Sequence, residues 1–348
     1  MKHAAAAQGN TPAEPRGAAQ ASHCGHVELP SAPVMKPATP LTPAVGLRRR
    51  TCCVALLAAG VPGRAVRAAD DTQPVIEMLP VPGATLEVQF EPGFDAAQRG
   101  RLLDWVRLEA AAVAGWFGRF PVPAAELLLL PVAGEGVRSG VSFGEPSPWL
   151  RVTVGRDTSA AQLRDDWVLA HEMVHLAVPQ LPRAQRWLHE GIATYVESLA
   201  RGAAGLVTPA RVWGQWSRAM AQGQPAAGDQ GLDRTPTWGR TYWGGALFCL
   251  LADVRLRQRG TLQRGLQQAL QGVLAGGGDY RVAWPATRVL ATADATLGQT
   301  TLMELYRQMN EPAAPPIELD ALWRQLGVDG DTLRDDAPLA ALRRAILG

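Results

Sequence analysis

The segment His171-Glu172-Met173-Val174-His175, followed by Trp187-Leu188-His189-Glu190-Gly191-Ile192-Ala193-Thr194-Tyr195-Val196-Glu197, carries the information that decides the fold. On a helix His171 and His175 sit at i and i+4, one above the other, so both imidazoles reach a single ion while Glu172 lies beside them. Residues 160–178 read as one such helix, with Thr158 or Ser159 as N-cap and Pro179 as its stop. A catalytic zinc takes three protein ligands and keeps a fourth position open. A second helix, restarting near Ala184, offers two candidates for the third ligand, His189 and Glu190. Adjacent helical positions diverge by about 100°, so only one of them faces the metal. Zinc acidifies water and polarises a carbonyl, and a neighbouring carboxylate moves the proton; Glu172 is placed for that role.

The run from Trp187 to Glu197 resembles the second ligand-bearing helix of the gluzincin zinc metallopeptidases (peptidase MA-like), which include the alanyl and glycyl aminopeptidases and leukotriene A4 hydrolase. The resemblance implies Glu190 as the third zinc ligand, with His189 standing where those enzymes have Asn. It extends to Glu197, two turns beyond Glu190 on the same face, as an acid that orients a ligand; a solvated helix charge is the other reading. Thr241-Tyr242-Trp243-Gly244-Gly245-Ala246 is similar to the Tyr-x-x-Gly-Ala-like segment that opens a helix across the site in these enzymes. That implies a phenol at Tyr242 aimed at the oxyanion. The likeness covers residues 167–253 in pieces. The Gly-x-Met-Glu-Asn segment with which the aminopeptidases hold a free amino terminus does not occur. In the corresponding region, 140–154, an alternating run reads as an edge strand for an extended peptide, and Glu145 as a turn carboxylate or an amine anchor. Arg234 and Arg240 are candidate carboxylate binders, each more simply read as a structural arginine.

The expected fold class is α+β: a small mixed β-sheet lobe with the HExxH helix, then a mainly helical lobe, with the active-site cleft between them. Strands are expected at 85–90 and 126–132 and a helix at 95–117. Beyond Glu197 the spacing predicts helices over 209–222, 244–258, 262–274, 301–309, 317–326 and 337–346. This divides the chain into a leader (1–69), an α/β catalytic sub-domain with the zinc helix (70–200) and a helical sub-domain (201–348).

Residues 1–69 read as a disordered leader and signal peptide, with Met35 as an alternative start. Arg48-Arg49-Arg50, the apolar run 52–61 and Ala65-Val66-Arg67-Ala68-Ala69 form a positive region, a short hydrophobic region and a cleavage site near Ala68. The apolar run is too short to remain as a membrane anchor. Cleavage there leaves 26 basic against 30 acidic residues, so no basic surface for nucleic acid is implied. Cys24, Cys52 and Cys53 leave with the leader, so Cys249 has no disulfide partner, and His171, His175 and His189 are the only histidines left. The expectation is a periplasmic or secreted protein, exported by the general or the twin-arginine route, that binds Zn2+ and hydrolyses a peptide or protein substrate. A noncatalytic zinc-containing periplasmic binding or assembly protein, or a zinc hydrolase of a non-peptide amide, are the alternatives. Glu172 speaks for catalysis, because a structural zinc site needs no such carboxylate.

Overall fold

The computed structural model describes residues 73–348, and the expected leader with its arginine cluster and cleavage site lies outside them. Strands β1 (Val75–Val81) and β2 (Ala84–Phe90) form an antiparallel hairpin, and helix α1 (Ala96–Phe117) crosses over to β3 (Ala124–Val132), parallel to β2. Strands β4 (Val137–Phe143) and β5 (Trp149–Gly155) complete a mixed sheet of order β1-β2-β3-β5-β4. Side chains alternate across a strand, so pairing sets Val88, Leu127 and Leu150 in one row and Phe90, Leu129 and Val152 in the next. Both rows are buried in the same core as Trp105, Val106 and Phe117 of α1. Asp95 and Gln98 cap α1 reciprocally, and Gly118 ends it in the left-handed region at φ 80°, which matches the expected helix to within a residue.

The alternating run expected at the sheet edge is instead the inner strand β5, parallel to β3 on one side and antiparallel to β4 on the other. Leu150, Val152 and Val154 line one face of β5 and are fully buried in the core. The more polar β4, reached before the hairpin turns back, takes the edge.

The expected helix over 160–178 is two helices, α2 (Ala160–Asp165) and α3 (Val168–His175). Ser159 and Gln162 form a capping box at the start of α2. Asp166 then turns extended, at ψ 139°, and its carboxylate accepts a 2.8 Å hydrogen bond from the Val168 N–H. Short acidic side chains compete with the helix backbone in this way and restart it. Leu169 to His175 are buried all round, so α3 is a core helix rather than an amphipathic one.

The remaining chain is mainly helical: α4 (Arg186–Ala203), α5 (Pro209–Ala219), α6 (Gly245–Arg259), α7 (Leu266–Ala275), α8 (Ala286–Leu297), α9 (Thr301–Met309), α10 (Leu319–Leu326), a two-stranded ribbon β6 (Val328–Asp329) and β7 (Thr332–Leu333), and α11 (Ala340–Leu347). The fold is therefore α+β. Sequence spacing does not predict β1, whose Pro80 interrupts the pattern, or α8, whose Ala- and Thr-rich sequence has a narrow apolar stripe. Helix α4 is the centre of the arrangement, packed against α1, α3, α5 and α6. Among the described residues no helix is long and apolar enough to cross a membrane.

Candidate metal centre

Helix α3 supplies His171 and His175 one turn apart, and the second turn of α4 supplies Glu190 opposite them. The Nε2 atoms of His171 and His175 lie 3.3 and 3.4 Å from the same oxygen, Glu190 Oε2. Tetrahedral zinc with bonds of about 2.0–2.1 Å has ligand atoms roughly 3.3–3.4 Å apart, so the two distances to Glu190 Oε2 already match edges of such a tetrahedron. Among the described residues His171, His175 and Glu190 are the one group of His, Cys, Asp or Glu side chains that could hold a metal ion. All three side chains are buried.

His189, the rival ligand, lies elsewhere: its ring stacks on that of His175 at 4.2 Å with 4° between planes. Burial holds it neutral, its pKa pushed well below the ordinary histidine value. Burial also works against charging the other two imidazoles. At His171 it prevails and lowers the pKa, whereas at His175 the Glu190 carboxylate outweighs it and the pKa is raised. Burial would raise Glu190 too, but the two histidines hold its carboxyl far below the usual range. No acceptor meets Nδ1 of His171 or His175. Glu197, read as a ligand-orienting acid, accepts from Ser198 Oγ at 2.6 Å rather than from either ring.

Glu172 stands against the edge strand. A Cβ on Gly140 of β4 would come within 2.7 Å of Glu172 Cγ, so the absence of a side chain there lets the strand run close beside α3. The same reasoning explains the glycines that follow Glu190 and Tyr242. A Cβ on Gly191 would collide with the backbone of Gly245, so α4 and α6 touch backbone to backbone at this point. The contact brings Tyr242, one turn before Gly245 in a π-helical turn (Arg240–Gly244), beside His171 and the Glu190 carboxylate. Its ring lies over His171 with centroids 6.4 Å apart. Burial, and then the Glu190 carboxylate, raise the Tyr242 pKa, so its hydroxyl keeps the proton and remains a donor.

Two residues of the site were not evident in the sequence. Arg186 donates from Nε to Glu190 Oε1 at 2.9 Å, and its Nη2 lies 3.5 Å from the Tyr242 hydroxyl. The signal was present, since Arg186 and Glu190 are an i,i+4 pair. Tyr280 arrives from the loop before α8, where its N–H donates to Leu176 O at 3.1 Å, and its ring stacks 5.2 Å from His189. Its hydroxyl donates to Ser142 O of β4 at 3.4 Å. A contact between residues 138 positions apart leaves no local trace. By contrast Arg240 is buried in a pair with Asp229, and Arg234 bonds the carbonyls of Gln230 and Asn310, so both are structural. Glu145 is exposed in the β4–β5 turn.

No protein-family model and no curated protein sequence matches the chain. Among solved structures it is similar to an aminopeptidase N family protein from Idiomarina loihiensis, with 15% identity over 78% of this chain and 49% of that one and a TM-score of 0.48. It is also similar to an M1 zinc metallopeptidase from Deinococcus radiodurans, with 19% identity over 70% of this chain and 54% of that one and a TM-score of 0.45. A mutant of the Deinococcus radiodurans enzyme bound to a Tyr-Ser-Ala substrate matches with 17% identity over 70% and 53% of the two chains and a TM-score of 0.45. This chain thus spans about half the length of each. At such values the likeness bears on neither chemistry nor substrate; the side chains do.

Proposed function

We propose that the protein is a zinc-dependent metallopeptidase in which His171, His175 and Glu190 hold the ion. The observation that carries this reading is the convergence of two Nε2 atoms on one Glu190 oxygen at 3.3 and 3.4 Å, the spacing of a tetrahedral site. Zinc, when bound there, supplies a Lewis acid that polarises a carbonyl and acidifies water. Glu172 takes the proton from the attacking water as the new C–O bond forms, and delivers it to the amine as the C–N bond breaks. The Tyr242 hydroxyl donates to the developing oxyanion. Edge strand β4, running beside Glu172, offers its free backbone groups to an extended peptide.

The test is metal content and cleavage of a diverse peptide library, side by side, for the wild type and Glu172→Gln. The expected result is stoichiometric zinc in both, with turnover lower in the variant by roughly 100- to 10,000-fold. Zinc in both with no cleavage by either moves the reading to a noncatalytic binding protein or to a non-peptide amide, and absence of zinc undoes it. Export belongs to the same proposal: protein released by osmotic shock should begin near Ala69 or Asp70. An intact Met1 in the cytosolic fraction would remove the signal peptide.

A further inference from the structure

We propose that Arg186 is a substrate-binding residue that selects a carboxylate next to the scissile bond, so that the preferred substrates are short peptides ending in a free carboxyl group or bearing an acidic side chain there. The inference rests on the peptidase reading for the position of the scissile bond, and on the arginine's own geometry for the rest. Nε and Nη2 both lie 2.9 Å from Glu190 Oε1, so one edge of the planar guanidinium is taken up by a ligand carboxylate and its orientation is fixed. Among the described residues no side chain engages Nη1. The Arg186 side chain is 63% exposed, although the Glu190 side chain it grips is 8% exposed. A cation is thereby held at the mouth of a buried site, with Nη1 free of side-chain partners and Nη2, beyond Glu190, making only a long 3.5 Å hydrogen bond to the Tyr242 hydroxyl. Once Nη2 exchanges that long bond for a ligand oxygen, the Nη1–Nη2 edge matches a carboxylate with two parallel hydrogen bonds, a geometry that Lys cannot supply.

The surroundings agree in chemistry. Trp167 and Trp238 are both exposed, with ring centroids 5.4 Å from His171 and 5.7 Å from Tyr242, so aromatic surface lies beside two residues of the site, one of them the tyrosine that Arg186 reaches. No acidic side chain occurs on β4, the strand beside Glu172, and the exposed Glu145 lies in the turn beyond it. The charge placed to meet a substrate terminus is therefore positive, suited to the carboxyl end of a peptide rather than the amino end.

The experiment uses the Glu172→Gln protein, to suppress cleavage, titrated calorimetrically with N-acetyl-phenylalanyl-alanine, with its C-terminal amide, and with N-acetyl-phenylalanyl-aspartic acid α-amide, which carries a free side-chain carboxylate. The free acid is expected to bind roughly 10- to 100-fold tighter than the amide. Arg186→Gln in the same background should collapse that ratio to near one, and Arg186→Lys should restore only part of it. Comparing two ligands within each variant, with zinc content measured in each, separates lost recognition from a damaged site. Tight binding of the aspartic compound assigns the preference to carboxylates in general; weak binding confines it to the chain terminus. Equal affinity for acid and amide, or a ratio unchanged by Arg186→Gln, overturns the proposal. Failure of the wild type to cleave any peptide would instead strike the peptidase reading, because the binding ratio is measured without turnover.

Discussion

Helix α4 carries two buried carboxylates, Glu190 in its second turn and Glu197 two turns later, and their surroundings set them in opposite charge states. Glu190 meets two histidines on one oxygen and Arg186 on the other, and stays ionised despite burial. At Glu197 burial dominates and pushes the pKa up to about 8. One oxygen accepts from Ser198, and the other has no partner. The cation nearest in sequence, Arg201, is already engaged: its Nε lies 3.2 Å from both oxygens of Glu109. Residue type and helix face are the same at both positions, so what differs is whether cationic or proton-donating partners arrive from other elements.

The sharpest way to break this contrast is to remove each charge. Glu190→Gln should weaken metal binding by more than the roughly 100-fold typical of losing a hydrogen-bond partner behind a ligand, and cleavage should vanish with it. Glu197→Gln should keep the metal, as dialysis against a zinc buffer followed by metal analysis would show. A loss of about 10- to 100-fold in the second variant would restore Glu197 to the role of orienting a ligand. Next in size, Tyr242→Phe should lower kcat by about ten- to a thousandfold with zinc retained, since the donor faces the Glu190 end of the helix. An unchanged rate would return Tyr242 to packing.

The pH dependence of stability sharpens the comparison at the other end. Native Glu197 holds a proton that the unfolded chain releases near its ordinary value of 4.5. Its contribution is therefore complete below pH 4.5 and is lost as pH rises to about 8, by a few kcal/mol at most. Glu109, raised to about 7, and Asp166, raised to about 6, slope the same way and face the same cluster. Denaturant midpoints for the wild type and Glu197→Gln should run parallel below pH 4.5 and separate progressively up to about pH 8, the variant losing less. Curves parallel throughout would mean that Glu197 is ionised in the native protein. The smallest effect expected is that of Gly191→Ala, about 1–3 kcal/mol of overpacking against the Gly245 backbone, read as a lower Tm. A variant as stable as the wild type would show that α4 and α6 can separate without loss.

Much of the site was legible because it is written at helical spacing. His171 and His175 at i and i+4 need only local periodicity and a known chemistry to be noticed, whereas Glu190 rather than His189, and Tyr242 before its two glycines, were implied by the resemblance to the gluzincin metallopeptidases. Helix α1 was equally legible from its helical spacing, and Asp95 and Gly118 close its ends with capping chemistry that acts within a few residues. Arg186 was readable as an ion pair with Glu190 but not as a group at the mouth of the site, because its exposure and its distance to Tyr242 depend on how α4 meets α6.

The helical periods, the caps and the His171–His175 pair were thus written in the sequence, because they follow from bonds and contacts between near neighbours, whereas the choice of Glu190 over His189 came from the resemblance. Only the tertiary structure decided that β4 rather than β5 lies at the edge, that α2 and α3 part at Asp166, that Tyr280 reaches Ser142, and that Glu190 is charged while Glu197 is not. Strand order and the ionisation of a buried acid are set mainly by groups far away along the chain, and short-range periodicity carries no information about which of them will arrive.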